Sequence, residues 1–193
     1  MNIILLGPPG AGKGTEGKFL AKELGLKRFS VGALFRRIIK GKTPTSREVE
    51  KYVRNGLNVP ADLLLTILSK RFTRNKDGFI IDNFPRSKEQ LELLKKLIQN
   101  NKLKIDKVFH ISVSEKTSLR RLLNRQRERK RLGVQRIDES LNTIKNRYKV
   151  GYVRDVKEIL EYFKKLGILE KIDGEQDEKA VHRKILKRLK IND

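Results

Sequence analysis

The stretch Gly7-Pro8-Pro9-Gly10-Ala11-Gly12-Lys13-Gly14-Thr15 constrains this chain more than any other. It follows the apolar run Ile3-Ile4-Leu5-Leu6 and leads into a helical pattern that ends at Leu24, so it reads as the turn of a strand-loop-helix unit. Glycines let successive backbone N–H groups turn toward one anion, the helix N-terminus adds positive potential, and Lys13 stands where an ammonium reaches β- and γ-phosphates. A plain Gly/Pro turn between a buried strand and a helix needs neither a lysine at this offset nor four glycines. The loop therefore predicts a nucleotide-phosphate site. One detail narrows it: the general form of the motif has Ser or Thr directly after the lysine, whereas here Gly14 intervenes before Thr15.

Around that unit, apolar runs alternate with helical patterns over 193 residues, the signature of a parallel sheet covered on both faces. Strands are predicted at Asn2 to Leu6, Arg28 to Val31, Phe79 to Asp82, Lys107 to Ser112 and Ile168 to Ile172. Helices are predicted at Lys13 to Leu24, Gly32 to Ile39, Ser46 to Arg54, Ala61 to Arg74, Lys88 to Gln99, Glu115 to Arg129, Asp138 to Lys165 and Asp177 to Leu189. Thr45-Ser46-Arg47-Glu48 and Ser87-Lys88-Glu89-Gln90 fit capping boxes, and Gly151 offers a break in the longest helix. The fold class is α/β, a three-layer P-loop domain with a five-stranded parallel sheet. Two segments stand apart from it. Residues 30–59 hold short helices and turn signals, and residues 126–135 are strongly basic, with Gly133 available as a hinge.

Lysine and arginine total 46 against 23 acids, a net charge of +23, so anionic partners are expected: nucleotides, nucleic acid or acidic surfaces. No run approaches the roughly 18 apolar residues of a membrane span, and the N-terminal apolar stretch, lacking a basic leader, reads as a core strand rather than a signal peptide. Cysteine is absent, which excludes disulfides and cysteine-ligated zinc and suits a reducing compartment. With two histidines, no structural metal is expected.

The second informative stretch is Gly78-Phe79-Ile80-Ile81-Asp82-Asn83-Phe84-Pro85-Arg86, an apolar strand ending in an acid and then Phe-Pro-Arg. Open α/β sheets bind ligands at strand C-termini. There an acid holds Mg²⁺ or its waters, and an arginine clamps phosphate oxygens. Alone the stretch reads equally well as a turn-capping acid and a surface arginine; beside a P-loop the ligand reading prevails. Arg121 and Arg125 lie at i and i+4, so one helical face presents both. Arg136 and Arg147, eleven apart, share a face after about three turns if the helix is continuous. No Ser-His-Asp or paired-carboxylate set accompanies them, and phosphoryl transfer to an anionic acceptor needs none, since positioning with Arg, Lys and Mg²⁺ stabilisation is the chemistry required.

Together, GPPGAGKGT and Asp-x-Phe-Pro-Arg resemble the adenylate kinases, within the nucleoside monophosphate kinases, and nearly the whole chain can be laid along that family. The resemblance implies reversible transfer of the terminal phosphoryl of MgATP to AMP, giving two ADP. It implies a core of residues 1–29, 60–125 and 136–193, an acceptor-binding segment at 30–59 and a short lid at 126–135. It further implies Mg²⁺ with ATP, no zinc, and a cytoplasmic monomer with neither nucleic-acid nor membrane partner. Gly10, Ala11, Gly12, Lys13, Gly14 and Thr15 match the family's ATP loop, Arg121 and Arg125 match positions facing the ATP adenine and phosphates, and Gln176 falls where a backbone carbonyl meets the ATP base. Arg36, Arg86, Arg136 and Arg147 match acceptor-phosphate and transition-state arginines, so the implied catalytic set is Lys13, Arg86, Arg125, Arg136 and Arg147. Val31, Leu57, Asn58, Val59, Asn83, Phe84, Pro85 and Gln90 complete the implied AMP site, and Asp82 and Asp138 match acids near the metal and lid. Arg127, Arg129, Lys130 and Arg131 match no functional position and are expected to be individually dispensable.

The chain departs from the family at Ser30-Val31-Gly32-Ala33, where Ser-Thr-Gly-Asp is usual, and at Asn83, where glycine is usual. Asn adopts left-handed backbone more readily than other residues with a side chain, so the turn is expected to survive. Two alternatives stand beside the leading reading. Val31 suggests a kinase for UMP or CMP. The eight Lys/Arg and single acid between Arg120 and Arg136 suggest a nucleic-acid-binding protein with a vestigial P-loop, although that stretch lacks aromatics for base stacking.

Overall fold

The computed structural model describes residues 1–72, 77–101, 104–134, 136–138 and 140–191. Five strands, β1 (Asn2–Leu6), β2 (Lys27–Ser30), β3 (Phe79–Asp82), β4 (Lys107–Ser112) and β5 (Leu169–Asp173), form one sheet in the order β2-β3-β1-β4-β5. Every pairing is parallel. The helices are α1 (Lys13–Glu23), α2 (Val31–Lys40), α3 (Pro44–Arg54), α4 (Ala61–Phe72), α5 (Lys88–Asn101), α6 (Glu115–Arg131), α7 (Leu141–Tyr148), α8 (Arg154–Lys165) and α9 (Glu178–Leu189).

A continuous apolar run makes β1 the central strand, because strand alternation sends its side chains into two separate cores. Ile4 and Leu6 join Leu64 and Leu68 of α4, Leu91 and Leu94 of α5, and Ile159 and Phe163 of α8. Ile3 and Leu5 join Leu20 of α1 and Val181 and Ile185 of α9 on the opposite face. Each such side chain, once fully buried, contributes about 1.5–3 kcal/mol. β1 lies between β3 and β4, so connections diverge to either side of it. The crevice at the C-terminal ends of β1 and β3 is thus where this class of sheet binds ligands.

Several element ends differ from the sequence reading. β2 stops at Ser30, whose Oγ accepts from the Ala33 N–H at 3.4 Å and caps α2; Val31, which reads as a strand residue, is the buried first residue of that helix. The N-cap of α3 is Thr43, not Thr45. Pro44 at the first helical position needs no N–H partner, and Ser46 closes the capping box with Thr43. Ser87 Oγ accepts from the Gln90 N–H at 3.3 Å, but the Gln90 carboxamide turns to the Arg86 N–H instead of completing a box. The long helix starts at Leu141 behind the N-cap Ser140, not at Asp138, and a π-helical turn over Lys149–Val153 joins α7 to α8 at the predicted Gly151 break. Gly133 (φ 68) ends α6, with the Gly133 N–H donating to Lys130 O and the Val134 N–H to Arg129 O, a Schellman closure. The predicted end of the fourth helix at Arg74 and the predicted lid residue Gln135 lie outside the described residues.

Candidate active site

β1 delivers the glycine loop to the C-terminal edge of the sheet. Gly10 (φ 83) is required there twice over, by its left-handed backbone and because a Cβ would sit 2.8 Å from Ser118 O. Ser118 of α6 donates its hydroxyl to Pro9 O and braces the loop from outside. Gly12, also left-handed, is the N-cap of α1, so the unpaired N–H groups of that helix face the loop's concave side. Lys13 follows, with only 7% of its surface exposed, and its Nζ donates to Gly7 O and Pro8 O, each at 2.7 Å.

The electrostatics at this point favour an incoming anion. Burial, and next the nearby Arg86, hold the Lys13 ammonium down at about 7, with Arg147 and Arg125 adding to the effect and Asp82 opposing it. Burial and then Arg147 lower the Arg86 guanidinium to about 9. Crowded, desolvated cations of this kind mark sites built for negative charge. His110, within β4, is held down to about 4 by burial and by Lys13, so it is neutral at physiological pH; its Nε2 lies 2.7 Å from Tyr152 Oη.

A cleft of about 640 Å³ opens over the loop. Gly10, Ala11, Gly12, Lys13, Gly14, Thr15, Asp82, Arg121, Arg125, Arg136 and Gln176 line it, bringing together the predicted donor-side residues. A second pocket beside it is lined by Val31, Arg36, Leu57, Asn58, Val59, Asn83, Arg86, Gln90 and Arg147, the predicted acceptor side. Arg36, Asn83 and Arg147 line both, so the two chambers meet at these residues. Asn83 has φ 72, the left-handed turn expected of it.

Three predicted acceptor residues lie elsewhere. Phe84 is fully buried in the core, Pro85 lines a small adjoining pocket that shares Asn83 and Arg86 with the acceptor side, and Arg136 lines the large cleft only. Arg136 also precedes α7, so a shared helical face with Arg147 does not explain their common cleft.

The acceptor chamber is fastened by polar contacts across long sequence distances. Asp138, buried to 3% exposure, takes Arg147 Nη1 at 3.2 Å and Arg36 Nη1 at 3.4 Å on Oδ2. Thr143 Oγ1 donates to Arg54 O and Asn146 Nδ2 to Asn55 O, seating the end of α3 on α7. Gln90 bridges the chamber floor: its Oε1 accepts from the Arg86 N–H at 2.9 Å, and its Nε2 donates to Val59 O at 3.0 Å.

Among the cleft residues that sequence reasoning missed are two arginines. Arg129 lines the cleft, and its place was legible, since it extends the i, i+4 row of Arg121 and Arg125 by one more turn. Arg28, paired with Asp82, also lines the cleft and carries no sequence signal of its own. Among the described residues, no group of three or more His, Asp or Glu is placed to hold a metal ion.

Comparison with known proteins agrees with this geometry. A family model described as Adenylate kinase matches residues 5–168. The chain is 35% identical to the adenylate kinase of Clostridium acetobutylicum, covering 92% of this chain and 93% of that protein. It is 36% identical to that of Corynebacterium aurimucosum, over 92% and 94%, and 38% identical to that of Mycobacterium leprae, over 84% and 86%. With the phosphate loop, the paired chambers and these relatives in agreement, the chain belongs to the adenylate kinase family.

Proposed function

We propose that the chain performs its family's reaction, transfer of the terminal phosphoryl of MgATP to AMP with two ADP as products, across the junction of the two chambers. The observation that carries this reading is that junction: Arg36, Asn83 and Arg147 line both chambers, beside the buried Lys13. ATP phosphates lie on the loop N–H groups and Lys13, with Arg121 and Arg125 along the donor side. The AMP phosphate meets Arg36, Arg86 and Arg147. Its anionic oxygen is already a nucleophile, so the protein supplies positioning and charge, and no base.

Mg²⁺ bound with phosphates keeps most of its waters and asks one or two side-chain oxygens of the protein. Thr15 on the cleft wall fits that demand, and Asp82, whose two oxygens already accept from Arg28 and Ser30, is placed to meet the ion through its waters. The ion's contribution is to neutralise phosphate oxygens as charge develops. Residues 30–59 and 126–135 are assigned as the parts that close over the substrates, excluding water that would otherwise accept the phosphoryl group.

Acceptor preference follows from the fixed orientation of Gln90. One amide hydrogen and one oxygen lone pair remain after its two backbone bonds, and adenine's N1 and amino group match that donor and acceptor. Guanine presents the reverse order, and serving it by flipping the carboxamide forfeits both backbone bonds, about 0.5–1.5 kcal/mol each. Val31, lacking a hydroxyl, lowers affinity without reversing the preference. The expected result is a kcat/KM for AMP at least about tenfold above those for GMP, CMP, UMP and dTMP at saturating MgATP, with the lead eroded in Gln90→Leu. A wild-type preference for CMP or UMP would overturn the reading.

A further inference from the structure

Arg28 rises from β2 on the same face as Ser30, and the strand register sets Ser30 opposite Asp82. Arg28 Nε donates to Asp82 Oδ2 at 3.0 Å, its Nη2 makes a second contact with the same oxygen, and Ser30 Oγ donates to Oδ1 at 2.9 Å. Both carboxylate oxygens are thereby engaged, and a guanidinium neutralises the charge on a side chain only 6% exposed. The P-loop helix is cut away to admit this group. A Cβ at Gly17 would lie 2.8 Å from Arg28 Nε, and one at Gly14 would lie 3.5 Å from its Nη2. The guanidinium thus lies against α1 on the wall of the nucleotide cleft, beside Asp82.

We propose that Arg28 is a positioning residue for the metal–nucleotide complex: a resident cation that offsets the carboxylate charge of Asp82, so that Mg²⁺ is retained through the nucleotide phosphates and only weakly through the protein. This rests on the reading of Asp82 as the acid facing the metal. A dication beside an unpaired carboxylate gains its attraction, whereas one beside the Arg28–Asp82 pair meets an offsetting repulsion; in a water-like environment the difference is on the order of tenfold in affinity. Metal then enters with ATP, and free divalent cation does not occupy the site beforehand. A purely structural ion pair on an edge strand would change stability without touching metal affinity.

The test measures Mn²⁺ affinity by electron paramagnetic resonance of the free ion, on protein saturated with the non-transferable analogue AMP-PNP. The variants are Arg28→Gln, Arg28→Lys, Asp82→Asn and the Arg28→Gln/Asp82→Asn pair, each checked by thermal unfolding. Arg28→Gln is expected to tighten Mn²⁺ about tenfold. Arg28→Lys, which keeps the charge, is expected to stay within about twofold of wild type; Asp82→Asn, which leaves Arg28 uncompensated, is expected to weaken Mn²⁺ about tenfold, and the double variant, again without net charge, to return close to wild type. Strong weakening in Asp82→Asn with no effect of Arg28→Gln would leave Asp82 as the metal's acid and overturn the role of Arg28. No change in any variant would remove Asp82 from the metal site and the proposal with it. Should Arg28→Gln fail to fold, Arg28→Lys and the double variant decide the matter: a change above about fivefold in either contradicts the neutralised pair.

Discussion

Replacing Lys13 with Met is expected to lower kcat by about 10²- to 10³-fold, the loss typical of one preorganised donor to a developing charge, while the KM for ATP changes by less than about tenfold. The ammonium is buried and turned onto Gly7 O and Pro8 O. Phosphate oxygens in the loop offer it far stronger acceptors, and the contact strengthens further as the phosphoryl group moves. Near-normal turnover in Lys13→Met would sink the loop assignment. The same residue carries a pH signature. With its pKa held at about 7 in the free protein by burial and by Arg86, Lys13 is largely neutral at pH 8, and bound polyphosphate restores its proton. Nucleotide binding at pH 8 is therefore expected to take up about one proton, falling toward zero at pH 6 where Lys13 is already charged. Calorimetry in buffers of different ionisation enthalpy reads this directly, and the uptake vanishes in Lys13→Met.

The second large effect divides the basic segment. Arg125, Arg136 and Arg147 line the cleft, and each changed to Ala is expected to cost roughly 2.7–4 kcal/mol of transition-state stabilisation in kcat/KM. Arg129, which lines the same cleft, joins them with a smaller loss because it lies a further turn from the loop. Arg127, Lys130 and Arg131 do not line it, and their Ala variants are expected within about 0.5 kcal/mol of wild type, as for ordinary surface substitutions. A uniform small effect across all seven would reduce the segment to an electrostatic patch.

The architecture was legible because its signals are local and periodic. β1 shows no alternation because it is covered on both faces, and the turn after it carries glycines that no ordinary turn requires. What escaped notice depends on partners far away in the chain. Arg28 meets Asp82 across 54 residues, and Asp138, matched to the lid, proves to be the shared counter-ion of Arg36 and Arg147. No spacing rule reaches such pairs. Other misses turned on competing local chemistry. Ser30 gave its hydroxyl to a helix cap and Asp82, so Val31 left the strand. Thr43-Pro44, ahead of the helix start predicted at Ser46, began that helix. Gln90, read as half of a capping box, uses its carboxamide to tie Arg86 to Val59.

The chamber junction is tested most directly by following MgATP and AMP with the wild-type protein by ³¹P NMR. One ATP and one AMP consumed for every two ADP formed, with no free phosphate above the protein-free control, is the expected result. ATP converted to ADP and inorganic phosphate while AMP persists would contradict it, because water would then be the acceptor where the cleft is built to place a second nucleotide.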